Sequence, residues 1–173
     1  VICKGKAPVL LDYYERKNFH HKPLKGEWKK QVSMRISAIK KWSPRLSSQF
    51  SNVLKKIDKR LLFKSNTKFR DIKDSFEVDL HKGCSIEQAA IRQTSPQGID
   101  EIHINKDLWD KMEEGDRAGL ILHEIVYEHF IALGETNSIK AREFVRFMSS
   151  VEAHIFKKAE WKRLLHRLKL PLY

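Results

Sequence analysis

From Glu27 to Trp42 the apolar residues Trp28, Val32, Ile36 and Ile39 return at the spacing of one helix face. Ser43 followed by Pro44 supplies an N-cap and a proline at the first helical position, so a second helix starts there. Its apolar stripe is Leu46, Phe50, Val53, Leu54, Ile57 and Leu61, with Lys55, Lys56, Lys59 and Arg60 on the other side. Beyond Ser65 and Asn66 the period shortens. Phe76, Val78 and Leu80 alternate with Glu77 and Asp79, Ala89 to Arg92 forms a short apolar stretch, and Ile102 and Ile104 alternate with His103 and Asn105. Two or three short strands are predicted, the last two joined as a hairpin by Ser95, Pro96, Gln97 and Gly98. A short helix around Leu108, Trp109 and Met112 ends at Gly115, and Asp116 is placed to cap the next.

The segment from Arg117 to Leu133 is the most informative. Its apolar side chains, Leu120, Ile121, Leu122, Ile125, Val126, Phe130, Ile131 and Leu133, point in every direction around the helix axis, the signature of a buried helix. After a break at Gly134 another helix begins near Asn137 or Ser138. From Ser150, a candidate cap, a last helix carries Ile155, Trp161, Leu164, Leu165 and Leu168 on one side, and Lys157, Lys158, Lys162, Arg163, Arg167 and Lys169 make it basic. The expected architecture is a single α+β domain over 1–173, mainly helical, with a small two- or three-stranded β element and a central buried helix. It comprises an N-terminal arm (1–26), a basic helical hairpin (27–64), strands plus the central helix pair (76–149), and a C-terminal basic helix (150–173).

Charge changes this picture by its distribution. The 173 residues carry a formal +12. Residues 1–75 hold 20 basic and 6 acidic side chains, residues 76–150 hold 8 and 14, and the remainder 6 and 2. A basic exterior around an acidic middle predicts an anionic polymer or envelope surface as partner, or simply well-solvated helix faces. No nucleic-acid module, RNP pattern or zinc-finger spacing accompanies the charge, which argues against nucleic acid. No apolar run is long enough for a transmembrane segment.

Burying the polar members of the central helix, His123, Glu124, Glu128 and His129, is expensive unless they are paired, protonated or metal-bound. One reading pairs Glu124 with Arg142 or Arg146 of the following helix in a purely architectural contact. A second is zinc chemistry, because GLILHEIVYEH is partly similar to the active-site helix of zinc-dependent peptidases, with His123 and Glu124 as candidate ligands. The second histidine of that motif is missing, since Tyr127 stands four positions after His123. His129 is rotated by roughly 240° from His123, so the other ligand would have to come from His81 or His103. A third reading makes Glu124 a metal-free general acid or base, with Glu128 one turn away. No GxSxG elbow, phosphate-binding glycine loop, dinucleotide fingerprint, CxxC pair or calcium loop is present, so no cofactor-binding residues are predicted.

Cys3 and Cys84 are the only cysteines; in the cytosol they would be separate thiols, whereas in an exported protein such a pair commonly joins. The chain opens at Val1 with no charged-then-apolar leader, as expected after signal-peptide removal and equally after trimming. Cys84 with Gln88, Leu108–Trp109, RAGLILHEIVY and NSIKAR together resemble a family of uncharacterised exported bacterial proteins, and ICKGKAPVLLDYYE resembles its N-terminal segment. Residue by residue the resemblance falls on Cys3, Leu11, Asp12, Tyr14, Glu15, Cys84, Gln88, Trp109, His123, Glu124, Tyr127, Ser138 and Arg142. It implies a periplasmic or secreted protein and a Cys3–Cys84 disulfide, and supplies no reaction. The expectation is therefore an exported envelope protein in which His123, Glu124, Tyr127, Ser138 and Arg142 form a polar site. That site would belong to a metal-dependent or Glu-based hydrolase acting on peptidoglycan or peptide. The alternative is a non-catalytic binding or structural module whose basic helices meet an anionic surface. A cleft reaching Glu124 separates the two.

Overall fold

The computed structural model describes residues 1–15, 19–70 and 78–171. Strand β1 (Ile2–Cys3) and helix α1 (Leu11–Tyr14) open the chain, followed by α2 (Trp28–Ala38) and α3 (Pro44–Lys56). A 3-10 turn (Ile57–Lys59) leads into β2 (Leu61–Lys64), and β3 (Cys84–Ser85), β4 (Ala90–Thr94) and β5 (Asp100–Asn105) come next. The rest is helical: α4 (Lys106–Trp109), α5 (Glu114–Ala132), α6 (Ile139–Met148), α7 (Glu152–Ile155) and α8 (Lys158–Arg167). This is the mainly helical α+β arrangement expected. Among the described residues no helix is long and apolar enough to cross a membrane.

The helical hairpin forms as its pattern predicts. Ser43 Oγ accepts the Leu46 N–H at 3.2 Å, Pro44 is the first helical residue, and Val32, Ile36, Leu46 and Phe50 are buried. The second helix stops earlier than its apolar stripe. Leu61 belongs to β2, which pairs in parallel with β5, while β4 pairs with β5 on the other side in the predicted hairpin. Of the alternating stretch at 76–80, Phe76 and Glu77 lie outside the described residues, and Val78 to Leu80 carry no regular structure.

Helix α5 is the core of the molecule, packed against α2, α3 and α6, with Ile121, Leu122 and Val126 fully buried. Its last turn departs from the all-round burial expected: Ile131 and Leu133 are exposed. Asp116 does not cap α5 from outside. It sits inside the first turn, where its carboxylate accepts the backbone N–H of Leu10 at 2.7 Å and so ties the N-terminal arm to the helix. The C-terminal helix is two helices rather than one. Phe156 adopts an extended backbone between α7 and α8 and packs on Phe147, with ring centroids 5.0 Å apart, which leaves Ile155 exposed. The chain resumes at Lys157, whose N–H donates to Glu160 at 2.6 Å.

Cys3 and Cys84 form a disulfide, with their Cα atoms 4.1 Å apart where β1 pairs with β3. The disulfide and the Leu10–Asp116 bond both help to hold the N-terminal arm.

Candidate active site

Three of the five candidate residues come from α5. His123 and Tyr127 lie one turn apart on the same face, with ring centroids 6.0 Å apart, while Glu124 is turned about 100° away toward the sheet. Ser138 and Arg142 come from the cap and first turn of α6. The break at Gly134, whose φ of +91° suits a residue without a side chain, turns α6 back so that its start meets this part of α5. All five border one cavity of about 730 Å³, which Asp12, Gln88 and Arg92 also line.

One polar contact on the cavity wall is not revealed by periodicity alone. Asp12 Oδ2 lies 2.9 Å from His123 Nδ1, and Asp12 is only 1% exposed. Burial alone would lower the imidazole pKa, but the Asp12 carboxylate and its hydrogen bond, helped by Glu124 and opposed by Arg142, hold it above its ordinary value. The bond to a carboxylate assigns the Nδ1 position to a proton and leaves Nε2 for exchange with a ligand.

Glu124 is buried and ion-paired, as its helix demands, but with Arg92 rather than Arg142. Arg92 Nε donates to Glu124 Oε2 at 3.0 Å, and the same guanidinium reaches Asp100 at 2.8 Å and Glu128 at 3.3 Å. Arg60 joins from the other side, at 2.7 Å from Glu128 and in contact with Asp100. Glu124 is therefore anchored in a network of two arginines and three carboxylates. Glu128 belongs to the same network and does not line the cavity, so the two glutamates do not face each other across a ligand. Arg142 Nε instead lies 3.7 Å from Glu15 Oε2, beside Arg146, which contacts the same carboxylate.

Among the described residues no ligand set for zinc is gathered around His123 and Glu124. His103 Nε2 is 2.9 Å from Glu101, His81 packs on Tyr14, and His129 packs edge-on against Phe50; none of them lines the cavity. Among the described residues no group of three His, Cys, Asp or Glu side chains is gathered to hold a metal ion, whereas catalytic zinc takes three protein ligands.

Two residues essential to this geometry carry little signal in the sequence. Arg92 sits in a short strand where it reads as a polar position. Gly119 reads as a weak point in a helix, yet a Cβ there would lie 2.5 Å from Tyr13 Oη and 2.6 Å from Leu10 Cδ2. Its lack of a side chain lets the segment carrying Asp12 reach α5. Compared with known proteins, the chain matches no family model, no curated protein and no solved structure.

Proposed function

We propose that this chain is an exported envelope hydrolase that cleaves an amide bond in a peptide or in the peptide part of peptidoglycan. The hydrogen-bonded Asp12–His123 pair on the wall of an open cavity is the observation that carries the reading. In the reaction a water oxygen attacks the carbonyl carbon while His123 Nε2 takes one water proton. The tetrahedral intermediate then expels nitrogen, which receives that proton from His123, and an acid and an amine leave. Asp12 orients the imidazole and stabilises its cationic form, the part a carboxylate plays beside a catalytic histidine. Arg142 supplies positive charge on the same wall for the developing oxyanion, and Tyr127 and Ser138 supply hydroxyls to hold the substrate. Glu124 keeps Arg92 and the sheet in register with α5.

The lining favours peptide over glycan. Leu10, Leu11, Leu120, Ile131 and Ile139 form aliphatic walls suited to an apolar side chain next to the scissile bond. The Cys3–Cys84 disulfide supports an oxidising compartment. A second reading, attachment to an anionic envelope surface, is favoured by the exposure of Lys55, Lys56 and Lys59 at the end of α3 and of Lys158, Lys162 and Lys169 around α8. It is compatible with the first.

The test is cleavage by the purified protein of muropeptides and of short aliphatic peptides, followed by mass spectrometry. His123→Ala and Asp12→Asn should each reduce turnover by about a hundredfold or more. Failure of the wild type on both substrate sets, or undiminished cleavage by His123→Ala, would overturn the proposal.

A further inference from the structure

On the far side of α1 from the cavity lies a second polar cluster that the proposed reaction does not use. Arg35, on α2, is 2% exposed. Its Nη1 donates to Tyr13 Oη at 2.6 Å and lies 3.5 Å from the Gly115 carbonyl, while Nε and Nη2 are buried with no hydrogen-bond partner. Among the described residues no carboxylate is bonded to it: Asp116 acts on it electrostatically, but its own bond is to Leu10. A buried guanidinium with two nitrogens left without hydrogen bonds is unfavourable until an acceptor reaches them.

Arg35 also forms a wall of a small cavity of about 60 Å³. The other polar residues lining it are Lys22, Ser149, Ser150 and His154; the Ser150 hydroxyl is spent on the Phe147 carbonyl at 2.6 Å, and no acidic residue lines the cavity. The surroundings are cationic enough that burial, Lys22 and Lys41 together lower the His154 pKa. Glu152, which follows the lining serines in the chain, is engaged by His20 at 2.6 Å. The cavity has room for only one or two water-sized species.

We propose that this cavity is a binding site for a small inorganic anion of halide size, held by Arg35 with Lys22 and the Ser149 hydroxyl. The site has a consequence for the larger cavity. Tyr13 joins Arg35 to Ser149, whose Oγ is 3.0 Å from Tyr13 Oη, and Tyr13 follows Asp12 directly in α1. An anion that neutralises Arg35 therefore fixes the helix that presents Asp12 to His123. This inference does not depend on the hydrolytic reading.

Thermal unfolding of the intact protein tests it, with sodium chloride replaced stepwise by sodium gluconate at constant ionic strength. The melting temperature should rise with chloride and saturate, as linkage to a native-state site requires. Line broadening of the ³⁵Cl NMR signal should accompany it. Arg35→Gln should abolish both effects. Lys22→Met, a partly exposed position that should fold whatever becomes of Arg35→Gln, should weaken chloride binding about fivefold, the effect of losing one solvent-screened charge. Equal stability in chloride and gluconate would overturn the proposal. So would a gain with phosphate alone, or crystals soaked in bromide that show no anomalous peak beside Arg35.

Discussion

Asp12 and His123, separated by 111 positions in the chain, meet through a 2.9 Å bond on the wall of the large cavity. A buried carboxylate with an imidazole as its partner has two consequences that a buried histidine without such a partner would not share. The His123 resonance, followed by NMR, should titrate above the ordinary histidine range, because Asp12 outweighs burial. In Asp12→Asn it should titrate below that range, where burial is no longer opposed by Asp12. An unchanged midpoint in Asp12→Asn would show that the pair does not govern the imidazole.

The same shift predicts how stability depends on pH. His123 binds its proton more tightly folded than unfolded, so its contribution is fully present below the unfolded pKa of about 6.5 and is lost as pH rises through the higher folded value. Denaturant unfolding between pH 5 and 9 should show a decline over this window that is absent in His123→Gln. If the base form of His123 is the active one, cleavage should instead rise through the same window. Opposite slopes for stability and activity are the expected signature.

Glu124 separates architecture from catalysis. Its partner Arg92 is largely buried and also holds Asp100 and Glu128, so Glu124→Gln leaves a guanidinium undercompensated. A loss of about 3 kcal/mol is expected, the order found on breaking a buried pair. Arg92→Met should cost a similar amount, and the double variant less than the sum because the two share one interaction. Activity in Glu124→Gln should fall only in proportion to the unfolded fraction. Abolished activity with an unchanged melting temperature would place Glu124 in the chemistry instead.

The disulfide closes a loop between residues 81 positions apart and holds the arm that carries Asp12. Cys3→Ser with Cys84→Ser should lower stability by about 2–4 kcal/mol in the chain-entropy account. Thiol titration of the unfolded, unreduced wild type should find no free thiol.

Local signals were legible where one residue type has one strong meaning. Ser43 with Pro44 marked the start of α3, Gly134 the end of α5, and the Pro96–Gly98 turn the β4–β5 hairpin. The apolar circumference of α5 announced its burial and the need of Glu124 for a partner. What stayed hidden depended on tertiary choice. Leu61 continues a helical stripe equally well as it begins β2, and only pairing with β5 decides between them. Arg142 and Arg92 are both plausible partners for Glu124, and the sheet's position against α5 selects Arg92. The five candidate residues follow from the family resemblance, and they border one cavity, but the pairing of His123 with Asp12 required the path of the N-terminal arm.

That path depends on Gly119, which makes it the most direct test of how the site is assembled. A Cβ at this position would fall inside contact distance of Tyr13 Oη, Tyr13 Cζ and Leu10 Cδ2. Tyr13 cannot simply swing aside, because Arg35 and Ser149 hold its hydroxyl, and Leu10 is tied to Asp116 through its backbone. The helix itself would welcome alanine, which is favoured over glycine by about 1 kcal/mol in a helix interior. Overpacking of a filled contact costs about 1–3 kcal/mol and so offsets that preference or exceeds it. The strain falls on the segment bearing Asp12, one turn of α5 before His123. Gly119→Ala should therefore lower global stability by no more than about 2 kcal/mol. It should nevertheless lower the His123 pKa toward that of Asp12→Asn. Amide hydrogen exchange should show faster exchange in α1 with α5 unaffected. Gly119→Ala with a wild-type His123 titration and unchanged protection of α1 would show that the close approach of the arm is not what sets the Asp12–His123 bond.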